Sequence, residues 1–234
     1  MKKALVLFSG GKDSFLSTLL YLEKGYKVYL VSYDNGFELN CKNVLVGAKR
    51  IQKKYGSDKV EIIGIKKIDS IWRELICNLY NYDTDYIKNN FGNITISQIN
   101  CLICRLSMYI SSIIIAKQNK INVVVDGARK CQLFAIEQEE LINEFIKLFK
   151  KYNLEISYPI LNELNDFSIK NKILAYGFVP KMNEMQCLIG MPINNKIQNE
   201  IIDSCINILN KELLKKIDEI IKNYKDIEFE KEYL

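Results

Sequence analysis

The segment Ser9-Gly10-Gly11-Lys12-Asp13-Ser14 constrains this chain more than any other. It follows the apolar run Ala4-Leu5-Val6-Leu7-Phe8 and precedes apolar residues at helical spacing, Phe15, Leu16, Leu19, Leu20 and Leu22. A short aliphatic run that stops abruptly at small residues reads as a buried parallel strand delivering a loop to a site. Gly10 and Gly11 let the backbone turn sharply and bring its N–H groups near an anion with no Cβ in the way. The unpaired N–H groups and positive dipole end of the next helix, near Ser14, point at the same place. Lys12 and the hydroxyls of Ser9 and Ser14 add charge and donors. The competing reading is a plain Gly-Ser turn, and the position between strand and helix argues against it.

The same alternation continues downstream. Val28 to Tyr33 reads as a second strand, Val44, Leu45, Ala48, Ile51 and Tyr55 as one helical face, and Val60 to Ile65 as a third strand. A helix begins near Asp69, and the Asn- and Tyr-rich stretch at about 78–100 reads as an insertion with weak order signals. Arg105 to Gln118 looks helical, Asn122 to Asp126 a strand, Gln132 to Tyr152 a helix, and Glu155 to Tyr158 a short strand. Strands alternating with helices predict an α/β fold with an open, mainly parallel, doubly wound sheet. From Ile193 to Tyr224 apolar residues recur at helical spacing. They form a helical C-terminal region whose ordinary role is covering the sheet or forming a homodimer face. The expected division is an anion-binding α/β domain at 1–185 and a helical extension at 186–234. Ligands of such sheets sit at the carboxyl ends of the strands, so the loops after Phe8, Tyr33 and Asp126 matter most.

SGGKDS after the first strand resembles the PP-loop of the ATP pyrophosphatases, the HUP or adenine nucleotide alpha-hydrolase-like superfamily; it is not the Walker pattern. The resemblance implies an enzyme that cleaves ATP between the α and β phosphates with Mg²⁺, adenylating a carbonyl substrate and releasing pyrophosphate. It implies that Ser9, Gly10, Gly11, Lys12, Asp13 and Ser14 hold the phosphates, with Lys12 catalytic and Asp13 a metal ligand or loop organiser. Ser32, Tyr33 and Asp34 fall where relatives hold adenine, although Asp34-Asn35-Gly36 reads equally as an ordinary turn. Gly127 matches the first residue of a Gly-His pair in many relatives. Ala128 departs from it, so their histidine-dependent steps do not transfer. Arg129 and Lys130 are candidates to clamp phosphate or substrate, the alternative being a solvated surface pair. The segment from Tyr158 through Asn165-Asp166 to a helix at 167–176 resembles the family's substrate side, where Asn or Asp caps the helix.

Cys101-Leu102-Ile103-Cys104 is the second chemical signal. Placed in a turn just before a helix, the two sulfurs share one focus and the helix N–H groups lower their pKa. Cys187, after a loop containing Pro180, is a third candidate. Several PP-loop tRNA thiolation enzymes hold a [4Fe–4S] cluster with a C-x-x-C and a distant third cysteine, and this chain is similar in that arrangement. The resemblance thus implies Cys101, Cys104 and Cys187 as cluster ligands, sulfur as nucleophile, a tRNA base as acceptor and a sulfur donor as partner. The alternatives are a Zn²⁺ site completed by Cys131, a persulfide and resolving pair of Cys101 and Cys187, or buried thiols without a role. Cys41, Cys77 and Cys205 are read as packing residues. Two further functions compete: ATP-dependent amidation or nitrile formation, as in 7-cyano-7-deazaguanine synthase, and non-catalytic nucleotide binding.

Composition narrows the chemistry. The chain has no histidine, which removes the commonest general base and metal ligand. A net charge of +5 over 234 residues, carried mostly by dispersed lysines, does not by itself indicate a nucleic-acid binder. The apolar stretch at the amino terminus is too short for a signal peptide, and no run reads as long enough to span a bilayer. A cytoplasmic protein without a membrane partner is the expectation, its seven cysteines thiols or metal ligands rather than disulfides.

Overall fold

Alternate residues of the first strand go to opposite cores. In the computed structural model, which describes residues 1–80, 84–92, 94–188 and 199–223, β1 (Lys3–Leu7) sends Ala4 and Val6 to one face and Leu5 and Leu7 to the other. A loop leads from β1 to α1 (Lys12–Glu23), and β2 (Lys27–Asp34) returns parallel to β1. A two-residue strand β3 (Glu38–Leu39) precedes α2 (Val44–Tyr55) and β4 (Val60–Lys67). Three helices follow, α3 (Asp69–Tyr80), α4 (Thr84–Phe91) and α5 (Ile96–Gln118), then β5 (Val123–Val125), α6 (Glu139–Lys151) and β6 (Glu155–Ser157). Next come α7 (Asp166–Ala175), β7 (Gln186–Cys187), α8 (Asn199–Ile208) and α9 (Leu214–Asn223).

The main sheet has the order β4-β2-β1-β5-β6 with every pair parallel. This is the open, doubly wound α/β fold that the strand–helix alternation predicts. One face carries α1, α2 and α7 through Phe15, Leu16, Leu19, Ala48, Ile51, Ile169 and Ile173. The opposite face carries α3, α5 and α6, and α8 and α9 add Ile201, Cys205, Ile208, Ile217 and Ile220 to the same cluster. Strands buried on both sides explain the continuous apolar runs of the sequence. Outside the main sheet, β3 and β7 form an antiparallel ribbon, with Glu38 opposite Cys187. Of the C-terminal helical pattern, Ile193, Ile197 and Tyr224 lie outside the described residues.

Three expectations need correction. The stretch read as a weakly ordered insertion is mostly helical where described: α3 runs to Tyr80, α4 follows, and α5 starts at Ile96 rather than Arg105. Thr95 and Gln98 start it with a reciprocal capping box. The Gln98 N–H donates to Thr95 Oγ1 (3.3 Å) and the Thr95 N–H to Gln98 Oε1 (2.8 Å). The helix expected from Gln132 begins only at Glu139. Leu133 takes a left-handed conformation (φ 60°), which ends the preceding turn because such a conformation does not propagate into a helix. Finally, α5 is long and apolar enough to cross a membrane by length and composition, with a mean hydropathy of 1.8 over its most apolar window. It is instead the central helix on the sheet, 72% of that window being buried. Of the cysteines read as packing residues, Cys205 is fully buried, Cys77 is exposed, and Cys41 sits in the turn before α2.

Candidate active site

Strand order reverses between β1 and β5, the place where open parallel sheets take their ligands. The carboxyl ends of these strands open a cavity of about 210 Å³. Gly10 turns the chain here at φ +77°, and a Cβ on it would lie 2.4 Å from the Asn183 carbonyl oxygen. Ser14 Oγ accepts the Ser9 N–H (3.2 Å) and donates to the Gly11 carbonyl (3.1 Å), knotting the loop on itself. Gly11 is the N-cap of α1 and offers no side-chain cap, so the first N–H groups of that helix remain available to an anion. Gly127, in the loop after β5, presses against the same turn: a Cβ there would stand 2.9 Å from Asp13 C and Ser14 N.

Two cations flank the loop, each braced by acids. Lys12 Nζ lies 3.3 Å from Asp166. Arg129, only 3% exposed, places Nε 3.0 Å from Asp13 Oδ2 and donates from Nη2 to Asp166 Oδ1 (2.8 Å). The solvated-pair reading therefore fails for Arg129, whereas Lys130 pairs with exposed Glu139 at 2.6 Å. Asp166 opens α7, whose N-cap is Asn165, a residue type that suits the position. Asn165 Oδ1 accepts the Phe167 N–H at 2.8 Å. Gln132 Nε2 also donates to Asp13 Oδ2 (2.8 Å), while Asp13 Oδ1 and Arg129 Nη1 are buried without a hydrogen-bond partner. Burial pushes the Asp13 carboxyl up against the opposing pull of Arg129 and Lys12. Glu184 stands directly in front of the loop, its Oε1 2.7 Å from where a Gly11 Cβ would be. Burial raises its pKa too, with Lys12 opposing.

Ser32 and Tyr33 line the same cavity. Their side chains are engaged elsewhere, Ser32 Oγ donating to the Phe8 carbonyl (2.5 Å) and Tyr33 OH bonded to Ser112 Oγ (2.7 Å). The backbone and the apolar flank of Val31 and Met108 remain. Asp34 does not line this cavity. Its Oδ1 accepts the Gly36 N–H at 2.8 Å, and it faces a separate hollow with Lys67 and Arg73. This is the ordinary Asx-type turn that was the competing reading.

A second cavity of about 290 Å³ adjoins the first, and Cys101, Cys104 and Cys187 all line it with Phe37, Trp72 and Phe134. Cys101 and Cys104 lie well inside α5, one turn apart, not in a turn ahead of it. Both lie beyond the first turn of that helix, and burial pushes their thiols up to about 11 and about 12. This reverses the expected lowering, because burial disfavours the thiolate. Asn35 Nδ2 donates to Cys104 Sγ at 2.9 Å. Cys187 arrives on β7, held beside Glu38 of β3. Cys131 does not line this cavity and donates instead to the Glu163 carbonyl (3.5 Å). Among the described residues, the Cys and carboxylate set whose ligand atoms all lie within 4.8 Å of one another is Asp34, Glu38 and Cys41.

Sequence reasoning missed the residues that join the cavities. Arg105, Met108, Gln132, Glu137 and Glu184 line both. Arg105 pairs with Asp126 and lies 3.7 Å from Glu137. Asp126 also accepts from Tyr109 OH (2.7 Å) and, through Oδ1, from the Ala128 N–H (3.1 Å), which fixes the Gly127 loop. The Thr95–Gln98 capping box, masked in the sequence by its polar surroundings, is the local signal that α5 starts early enough to carry the thiols; Glu137 and Glu184 have no comparable local signal.

The description of a known family matches residues 3–187, from the first residue of β1 to Cys187: queuosine biosynthesis protein QueC. The chain belongs to this family. QueC proteins are PP-loop ATP pyrophosphatases, so the resemblance read from Ser9 to Ser14 holds. No curated sequence matches the chain significantly. In three dimensions 95% of it superposes on a 4-thiouridine synthetase crystallised with RNA and bound ATP, at TM-score 0.58 and 15% identity. The chain spans 54% of that protein's length. The U34-tRNA thiolase NcsA from Methanococcus maripaludis, solved with its [4Fe-4S] cluster, aligns over 96% of this chain and 70% of its own, at TM-score 0.47 and 14% identity. At these identities the likeness is one of fold.

Proposed function

We propose that this QueC-family protein adenylates a carbonyl of a tRNA base at the phosphate loop and passes sulfur to the activated carbon in the adjoining thiol chamber. The observation that carries the reading is the shared wall of Arg105, Met108, Gln132, Glu137 and Glu184, five residues that line both cavities. Ser9, Gly10, Gly11, Ser14 and Gly127 form the phosphate cradle, and Lys12 and Arg129 offset charge developing on the phosphate. The unpartnered Oδ1 of Asp13 suits Mg²⁺, since a buried bare acceptor calls for a partner. Ser32 and Tyr33 present their backbone to adenine. The acceptor oxygen bonds to the α-phosphorus as pyrophosphate leaves; sulfur at the hydrosulfide level then adds to the carbon and AMP departs. The 4-thiouridine synthetase of similar fold binds RNA and ATP in its crystal, the pairing proposed for this chain.

The donor set fits an iron–sulfur cluster. Three thiols line one chamber, and Cys131 turns to Glu163 instead, which withdraws the fourth thiol of a closed structural zinc site. Thiols pushed up to about 11 and about 12 become thiolates only beside a strong positive charge. Cys101, Cys104 and Cys187 would hold a [4Fe–4S] cluster, which when bound would supply an iron site open to sulfide.

Membership of the QueC family favours a second reading, in which ammonia replaces sulfide and the product is an amide or nitrile. Anaerobic reconstitution with iron and sulfide separates the two. Thiolation predicts a brown protein with about four iron atoms per chain, lost in Cys104→Ala, and sulfur appearing in tRNA as AMP forms. A colourless protein that forms AMP only with ammonia would replace the first reading by the second.

A further inference from the structure

Glu137 ends the short helical turn Ala135–Glu137 between β5 and α6, 4% exposed, in the wall common to both cavities. Its Oε2 is buried without a hydrogen-bond partner, and a buried acceptor left bare at a cavity wall is a place for a ligand donor. Several charged and titratable groups act on it. The Arg105 guanidinium is 3.7 Å away, Asp126 lies behind Arg105, Asp13 and Arg129 belong to the phosphate loop side, and the Cys101 thiol acts from α5. Burial pushes the Glu137 carboxyl up to about 8, with Asp126 and Asp13 adding to the effect and Arg105 and Arg129 opposing it. The chain has no imidazole for proton transfer.

We propose that Glu137 is the general base of the adenylation half-reaction, acting on the ring N–H beside the acceptor carbonyl. As the carbonyl oxygen bonds to the α-phosphorus, the bond from that phosphorus to the bridging oxygen breaks and pyrophosphate leaves with the electron pair. The N–H proton passes to Glu137 Oε2 and then to solvent, so the carbonyl becomes an O-adenylated imidate with no oxidant or reductant needed. A neutral lactam oxygen is a weak nucleophile, and removing the neighbouring proton is what makes it attack. The assignment rests on the adenylation reading above.

The test compares the full chain with Glu137→Gln and Glu137→Asp, using ATP and unfractionated tRNA from about pH 6 to 9. ATP binding and pyrophosphate release are read separately. The wild-type rate should rise with pH to a midpoint near 8. Glu137→Gln should keep its ATP affinity, lose about a hundredfold or more in pyrophosphate release, and lose the pH rise. Glu137→Asp should restore part of the rate. A Glu137→Gln protein with the wild-type rate and pH profile overturns the assignment and leaves adenylation standing. So does loss of ATP binding in both variants, which would make Glu137 a structural wall residue. A wild-type protein that binds ATP but releases no pyrophosphate overturns adenylation and the assignment together.

Discussion

The phosphate loop and the thiol chamber touch, yet they are built in opposite ways. The loop comes from six consecutive residues that run from just after β1 into the first turn of α1, closed by its own serines and by the neighbouring Gly127. The chamber takes Asn35 from the end of β2, Trp72 from α3, two thiols from α5, Glu137 from before α6 and Cys187 from β7. The loop already presents cations, Lys12 and Arg129, where an anion would sit. The chamber presents thiols whose pKa is raised. Burial is the cause, so its donor set is incomplete until a cationic group joins it. A local backbone motif can be ready without its ligand; a site gathered from separate segments depends on one.

The largest effect should come from the ready half. Lys12→Ala should lower AMP formation by about 10²–10³-fold, the usual consequence of removing one donor to developing charge, while iron binding in the chamber stays intact. Loss of both would erase the division between the halves. Cys101→Ala should lower iron affinity by about tenfold or more with ATP affinity unchanged, measured by iron analysis and nucleotide titration on one preparation. Equal weakening of ATP binding would mean that the chamber supports the loop. Gly127→Ala forces a Cβ against the backbone of Asp13 and Ser14 at 2.9 Å. It should cost about 1–3 kcal/mol of stability and weaken ATP binding, readable by thermal unfolding with and without nucleotide. The smallest change is expected from Glu184→Gln, which removes a negative charge in front of Gly11. ATP should bind about threefold more tightly, an effect of ~0.7 kcal/mol, and weaker binding would instead mark Glu184 as a contributor to the nucleotide site.

The same contrast explains what was legible in the sequence. Ser9 to Ser14 could be read because strand, loop and helix signals are adjacent, and the parallel sheet followed from the repeated alternation of β1, α1 and β2. The C-x-x-C spacing was visible, but its setting was misread. The polar stretch before Cys101 hid the Thr95–Gln98 box that starts α5, and the inferred helix N-terminus predicted the wrong direction of pKa shift. Arg129 looked like half of a surface Arg-Lys pair, and only the fold brings Asp13 and Asp166 around it. Glu137 and Glu184 acquire meaning from the sheet's switch point and from the packing of Asn183 and Glu184 against Gly10 and Gly11, neither of which leaves a periodic trace.

The account stands on the two cavities acting as one reaction space. The most direct measurement incubates anaerobically reconstituted protein with α-labelled ATP, sulfide and unfractionated tRNA, and quantifies AMP, pyrophosphate and tRNA-bound sulfur together. Equal amounts of all three are predicted, with sulfur incorporation abolished by either Lys12→Ala or Cys104→Ala. AMP and pyrophosphate formed at the wild-type rate by the Cys104→Ala protein, with sulfur still entering the tRNA, would contradict it.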